Sequence, residues 1–401
     1  ASICHKFQFD NKSRFTTRTM YVRDWRTALR TPPTYRLGNR TFRFHFHVAL
    51  IIICIGSLGI LFLYTKTGSS SSSDTWLHRA ATQDAYNSTY PLTTPIITNG
   101  KTIYKIAMIA DLDTNSKVDG DPSFWRSFYT KGHLTYDPSE NSVSATWDNA
   151  DQITSSFSYK GRGMELSELT VFNGRLLTFD DRTGIVYEII HDKVIPWVIL
   201  ADGDGHIGKG FKSEWATVKD KMLYVGSIGK EWTSSHGDYE NDNPMHVKVI
   251  SPSGEVKHLN WASKYKAIRE VLDITWPGYM IHESGMWSEK QKRWFFLPRR
   301  CSKERYNETR DEHMGCNVLI TATEDFEDIK ATRIGNIIPT HGYSSFKFIP
   351  ETNDNVIIAL TTEEINGKTA TYISAFTTTG EILMEKHKVS NSYKYEGLEF
   401  I

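Results

Sequence analysis

The chain has 401 residues, of which 39% are hydrophobic and 23% charged, enough for one large domain with tails. Its 47 basic and 47 acidic residues cancel, but residues 1–47 hold ten Lys/Arg against two Asp, a net +8, leaving a net −8 on the remainder. An acidic body argues against a nucleic-acid binder, and 11 Trp, 19 Tyr and 20 Phe suit strands better than a helical bundle.

After the basic segment 1–47, residues 48–64 read VALIIICIGSLGILFLY, 17 positions without a charge. That is the lower limit for crossing a bilayer. Arg36, Arg40 and Arg43 precede it, and only Lys66 follows closely. The positive-inside rule then places the N-terminus in the cytosol and the rest in a lumen or outside the cell. A cleaved secretory signal is the alternative, although the basic region is long for one. Either way the body is exported. Gly68 and the serines at 69–73 open a flexible stalk over 65–90, and the folded domain is expected over 91–401.

Cys4 falls in the tail and Cys54 in the anchor, which leaves Cys301 and Cys316 as the pair in the exported part. In an oxidising compartment a disulfide is expected, with two free thiols as the alternative. Sequons at Asn87 and Asn307 are expected to carry glycans, and those at Asn11 and Asn39 to stay silent in the cytosol.

Beyond the stalk the chain is a series of short runs rich in β-branched and aromatic residues. Examples are 104–110, 169–172, 175–179, 184–190, 222–225, 246–250, 294–297, 356–360, 370–377 and 381–383. Turn signals such as Asn173-Gly174, Ser253-Gly254 and Asn366-Gly367 separate them, as in meandering antiparallel sheets. The best helix candidate is short, 261–271. A weak repeat recurs: a small or acidic residue, then a strand. Ser167, Glu214, Glu283, Ser344 and Glu396 are equivalent in it, with gaps of 47, 69, 61 and 52 residues. Such periods fit propeller blades with loop insertions, and five copies mean five blades. The last copy has one strand, so residues 395–401 are expected to pair with 104–110 and close the ring. An irregular pair of sandwiched sheets is the alternative.

Inner strands line a propeller's channel, so the five repeated residues would face one another. Three carboxylates aimed at one point repel unless a cation neutralises them. An all-oxygen set suits Ca²⁺ better than Mg²⁺ or zinc. The plainer alternative is that these residues bond to neighbouring backbone. Asp202-Gly-Asp-Gly opens like an EF-hand loop, but Ile207 and Ser213 stand where Gly and Glu are needed, which rejects it. Asp111-Leu-Asp follows an apolar run, where paired acids hold a metal or orient water, a turn carboxylate being the bland reading. Arg162, Lys212, Arg299 and Arg300 lie close to the repeats and suit phosphate oxygens. Trp232 and Trp287 are candidates for stacking a base, with a core role as the alternative.

Several longer motifs resemble the soluble calcium-activated nucleotidases, the apyrase family also found in the saliva of blood-feeding insects. They are Gly161-Arg-Gly-Met-Glu-Leu-Ser, Trp197-Val-Ile-Leu-Ala-Asp-Gly-Asp-Gly, Phe296-Leu-Pro-Arg-Arg, Thr340-His-Gly-Tyr-Ser-Ser-Phe-Lys-Phe-Ile-Pro and Tyr395-Glu-Gly-Leu-Glu-Phe. The resemblance implies an all-β, five-bladed propeller with Ca²⁺ in its tunnel, hydrolysing nucleoside di- and triphosphates. It places metal ligands on Ser167, Glu214, Glu283, Ser344 and Glu396, with Glu168 in support. Arg162, Lys212, Arg299 and Arg300 would hold phosphate, and Asp111, Asp113 or Glu165 would orient the water. The cysteine pair departs from the vertebrate members, where small residues stand. Expected partners are nucleotides and, through the anchor, an ER or Golgi membrane, with a secreted form if the anchor is cut. A homodimer is compatible with the sequence. A five-bladed glycoside hydrolase and a non-catalytic binding propeller are the competing readings.

Overall fold

The computed structural model describes residues 34–37, 40–43, 54–57, 86–121, 123–390 and 392–401. The chain divides into two units, Ala1–Ser73 and Asp74–Ile401. In the first, strands Thr34–Leu37 and Arg40–Arg43 pair antiparallel, and residues 54–57 form one helical turn. The rest of the expected span 48–64, and the stalk up to residue 85, lie outside the described residues. Among the described residues no helix is long and apolar enough to cross a membrane.

The second unit is a propeller of five antiparallel sheets, each built on four strands. The first blade runs through Leu166–Phe172, Arg175–Asp180, Ile185–Ile190 and Lys193–Ile199. The second has Trp215–Lys219, Met222–Gly226, His246–Ile250 and Val256–Asn260. Tyr279–Ser288, Arg293–Ser302, Val318–Thr323 and Ile329–Arg333 make the third. The fourth holds His341–Phe348, Val356–Ile365, Lys368–Thr377 and Ile382–Ser390. The closing blade joins Lys394–Phe400 to Lys101–Asp111, Trp125–Asp137 and Ser142–Trp147.

The first strand of each of these sets packs against its counterparts around the ring, which makes it the inner one. These inner strands are almost wholly buried although they carry charged residues such as Glu168, Lys347 and Glu399. Tight turns pin the register. At Asn173-Gly174 both residues have positive φ, 51° and 73°, the geometry of a two-residue hairpin that matches strand twist, and Phe172 stands opposite Arg175. The ring closes as expected: Leu398 faces Met108 and Phe400 faces Ile106. Gly397 allows the closing strand to press on the first blade, since a Cβ there would meet the Glu168 carbonyl carbon at 2.6 Å.

Apolar side chains fill the wedges between blades. Between the second and third, Trp215, Trp261, Trp294 and Phe296 form an aromatic cluster, capped by Tyr265 and Ile268 of the helix Ala262–Glu270. Residues 86–90, expected in the stalk, lie on the propeller: the Tyr86 ring is 5.7 Å from that of Phe172, and Tyr90 Oη donates to Glu399 at 3.0 Å. Cys301 and Cys316 form the disulfide expected from the sequence.

Candidate active site

Four of the five inner strands shift register at the repeated position, at Leu166/Leu169, at Ile281/His282 and His282/Gly285, at Tyr343/Ser345 and at Tyr395/Gly397. A bulge puts an extra residue into a strand and re-aims its side chain. In the second blade Glu214 sits immediately before the strand, its N–H donating to Gly226 O at 2.8 Å. The device brings Glu214, Glu283 and Glu396 together: one carboxylate oxygen from each lies within 4.8 Å of the others.

These three line a cavity of about 310 Å³. Its walls carry ten carboxylates and only four cations, Lys212, Arg299, Arg300 and Lys394. The cations are drawn onto the acids. Arg299 Nη1 donates to Glu283, and to Glu396 at 2.8 Å. Lys212 bridges Glu214, at 2.5 Å, and Asp181. Lys394 Nζ lies 2.7 Å from Asp113, 3.1 Å from Asp111 and 3.5 Å from Glu396. Burial pushes the Glu214 carboxyl up to about 8, aided by the charge of Glu283 and opposed by Lys212. Burial likewise raises Glu396 well above the carboxylate range. Arg300 is buried with an ion pair to Asp311 at 3.8 Å, and its Nε and Nη1 lack hydrogen-bond partners among the described residues. An anionic ligand would satisfy them.

Beside this trio stands a second one, Asp111, Asp113 and Glu165, also within 4.8 Å of one another. Only Asp111 and Asp113 face the cavity. Glu165 is gripped by Arg162, whose Nε donates to its Oε1 at 2.7 Å. Asp111 accepts from the Asp113 N–H at 2.8 Å and is pushed up to about 6, chiefly by burial. Asp113 is held below the usual carboxylate range because the nearby charges, Lys394 foremost, outweigh its burial. It also has φ +49°, a conformation that costs energy and concentrates at functional sites.

Other sequence candidates stand elsewhere. Glu168 turns away from the trio: it accepts from Leu169 N and from Ser345 Oγ at 3.0 Å, and pairs with Lys347 at 3.3 Å. Ser167 Oγ donates to the Ser213 carbonyl, and Ser344 Oγ to that of Tyr395 at 3.4 Å. The serines therefore stitch neighbouring blades through their hydroxyls. Trp287 is buried against Trp294, ring centres 5.2 Å apart, and Trp232 is half-buried under Lys209; neither lines the cavity. Lys394 and Asp181 were missed. A signal for Lys394 existed, because Lys212 precedes Glu214 by two residues just as Lys394 precedes Glu396.

A larger, mostly apolar cavity of about 680 Å³ lies further along the same strands, where Thr170, Thr217, Met286, Lys347 and Glu399 stand three residues past the repeated positions. It holds neither acidic trio.

Residues 112–401 match the Apyrase family. The chain is 52% identical over 327 residues to soluble calcium-activated nucleotidase 1 of Rattus norvegicus, covering 81% of each chain. It is 48% identical over 328 residues to an apyrase of Cimex lectularius, covering 81% of this chain and 90% of the relative. Apyrase apy-1 of Caenorhabditis elegans is 42% identical over 306 residues, or 75% of this chain and 85% of that one.

Proposed function

The chain belongs to the apyrase family of enzymes, and on that premise we propose that it hydrolyses the terminal phosphoanhydride of nucleoside di- and triphosphates with the help of Ca²⁺. One observation carries the reading: a buried carboxylate trio from three blades shares a cavity with four cations.

With ten carboxylates on its wall the cavity repels a polyphosphate unless a cation enters first. Glu214, Glu283 and Glu396 offer the hard oxygens that Ca²⁺ prefers. When bound, Ca²⁺ supplies contacts to phosphate oxygens and offsets their charge. Arg299, Lys212 and Lys394 would offer their charges to the phosphates once the trio held a cation, and Arg300, paired only at 3.8 Å with Asp311, would add its own. Asp113 is ionised and partly open to solvent, so it orients the water and accepts its proton as the oxygen attacks the terminal phosphorus. The bond from the terminal phosphorus to the bridging oxygen breaks, and that oxygen leaves with the electron pair on the shortened nucleotide. Asp111 and Glu165 hold Lys394 and Arg162 in place around it.

Residues 48–64 are read as a membrane anchor, with the propeller lumenal in the ER or Golgi. The Cys301–Cys316 bridge and the sequons at Asn87 and Asn307 support this reading. Phosphate release from UDP, GDP, ADP and AMP, with and without Ca²⁺, tests the activity. Release from the diphosphates with Ca²⁺ and not from AMP is expected. Turnover indifferent to Ca²⁺, or none from any diphosphate, sinks the proposal.

A further inference from the structure

The cavity wall is chemically lopsided. Its cations and the acidic trio gather on the inner strands, whereas Tyr306 is the only aromatic residue on it among the described residues. Tyr306 belongs to the excursion 303–315, which leaves the third blade at Ser302, two residues past Arg299-Arg300, and returns at Cys316. The disulfide clamps the two ends of this excursion, with Cα atoms 5.4 Å apart. Cys301 N also donates to Met314 O at 2.9 Å, and Arg300 bridges to Gly315. The second blade supports the loop from outside: Glu308 N donates to Ser235 O at 3.3 Å and Arg305 Nε to Gly237 O at 3.1 Å. The Tyr306 ring itself rests edge-on against Tyr279, 5.3 Å between centres at 73°, and Lys230 Nζ lies over it at 4.5 Å, so a base can stack on one face alone.

A nucleotide whose phosphates sit on Arg299 and Arg300 must leave its nucleoside somewhere on this wall. A base presents flat π-faces with poor hydration, which an aromatic partner covers favourably. The two tryptophans considered from the sequence are not on the wall. We propose that Tyr306 is the stacking platform for the nucleoside base, and that the Cys301–Cys316 bridge is a positioning device that fixes this platform relative to the arginine pair. The inference rests on the nucleotide reading above and assigns its nucleoside subsite. Stacking on a π-face tolerates any base, so the platform sets affinity for nucleosides in general.

The test compares Tyr306→Ala, Tyr306→Phe and a Cys301→Ser/Cys316→Ser double variant with the parent. Each is read by kcat and KM for UDP and ADP at fixed free Ca²⁺, and by the inhibition constant of methyl diphosphate, which has no base. Tyr306→Ala is expected to raise KM for both nucleotides between about fivefold and 150-fold, the range for losing one base stack. Its kcat should stay within about twofold, as for a group that binds substrate and transition state alike. Methyl diphosphate should inhibit as before, and Tyr306→Phe should resemble the parent. The double variant should raise nucleotide KM several-fold without moving the methyl diphosphate constant. An unchanged KM in Tyr306→Ala overturns the platform, as does a methyl diphosphate constant that rises in step with KM. An unchanged KM in the double variant overturns the role of the bridge. Tyr306→Leu, which keeps bulk over Tyr279, replaces the alanine variant if that one does not fold. A parent that releases no phosphate from any nucleotide defeats the hydrolase reading instead, and calorimetric binding of UDP against methyl diphosphate then decides on Tyr306.

Discussion

Glu396→Gln separates a metal site from a plain ion-pair network. The change keeps shape and removes one of the three carboxylates converging within 4.8 Å. In an ion-pair network Glu396 matters because it accepts from Arg299 at 2.8 Å and faces Lys394 at 3.5 Å, so its loss destabilises the protein whether or not Ca²⁺ is present. In a metal site the Ca²⁺-free protein already bears the cost of a carboxyl group whose ionised form is penalised by burial and by the neighbouring Glu283 and Asp111. Arg299 retains Glu283, and Lys394 retains Asp111 and Asp113. Melting temperature without Ca²⁺ should then hold or rise, while the gain on adding Ca²⁺ shrinks. For the parent at a hundred times its dissociation constant the gain is about 2.7 kcal/mol. At roughly 2 °C per kcal/mol for a large domain that is about 5 °C. A variant binding ~100-fold more weakly keeps only ~0.4 kcal/mol at the same Ca²⁺. Thermal unfolding across a Ca²⁺ titration reads both numbers. A variant less stable without Ca²⁺, yet showing the parent's full gain with it, refutes the metal reading.

Three further outcomes are expected. Arg299→Ala should lower kcat/KM by about 10- to 150-fold, the worth of a charge-assisted contact of roughly 1.5–3 kcal/mol, whereas Arg182→Ala, which lies outside the cavity, should change it little; equal losses would remove Arg299 from the phosphate site. Asp113→Asn should depress kcat far more than KM in steady-state assays, and an unaltered kcat would pass the water to another group. The third concerns acid stability. Burial holds the His341 imidazole down at about 4, against Tyr372 with ring centres 4.3 Å apart and planes tilted by 31°. Because its folded value lies below that of the unfolded chain, the unfolded state takes up the proton first. Stability is therefore lost as pH falls from about 6.5 towards 4. His341→Gln should flatten the melting-temperature profile in that window, and an identical slope would show that other groups set it.

Much of this was legible because a propeller repeats. A small or acidic residue followed by a strand recurs in successive blades, so Glu214, Glu283 and Glu396 could be aligned without any structure. Closure of the ring followed from the cost of leaving an unpaired edge. What was illegible depended on which way a side chain points. Glu168 follows Ser167, yet it faces Lys347 rather than the trio, and no spacing rule gives that where a bulge breaks the alternation. The strand Trp125–Asp137 hid because Lys131, Gly132 and His133 interrupt its apolar pattern. Tyr306 and Asp181 reach the cavity only because the ring sets loops from different blades side by side, and local sequence carries no mark of it.

The closing blade has a consequence for timing. It joins strands from 101–147 to one at 394–400, the most distant pairing in the propeller. Synthesis makes the early strands first, and they must wait for their late partner before the ring can shut. Glu396 and Lys394 arrive on that late strand, so the cavity is completed by the event that completes the fold. A chain still being made, or one stalled with the ring open, holds only part of its site. Nucleotide hydrolysis is thereby withheld from every unfinished molecule, with no propeptide or inhibitor required.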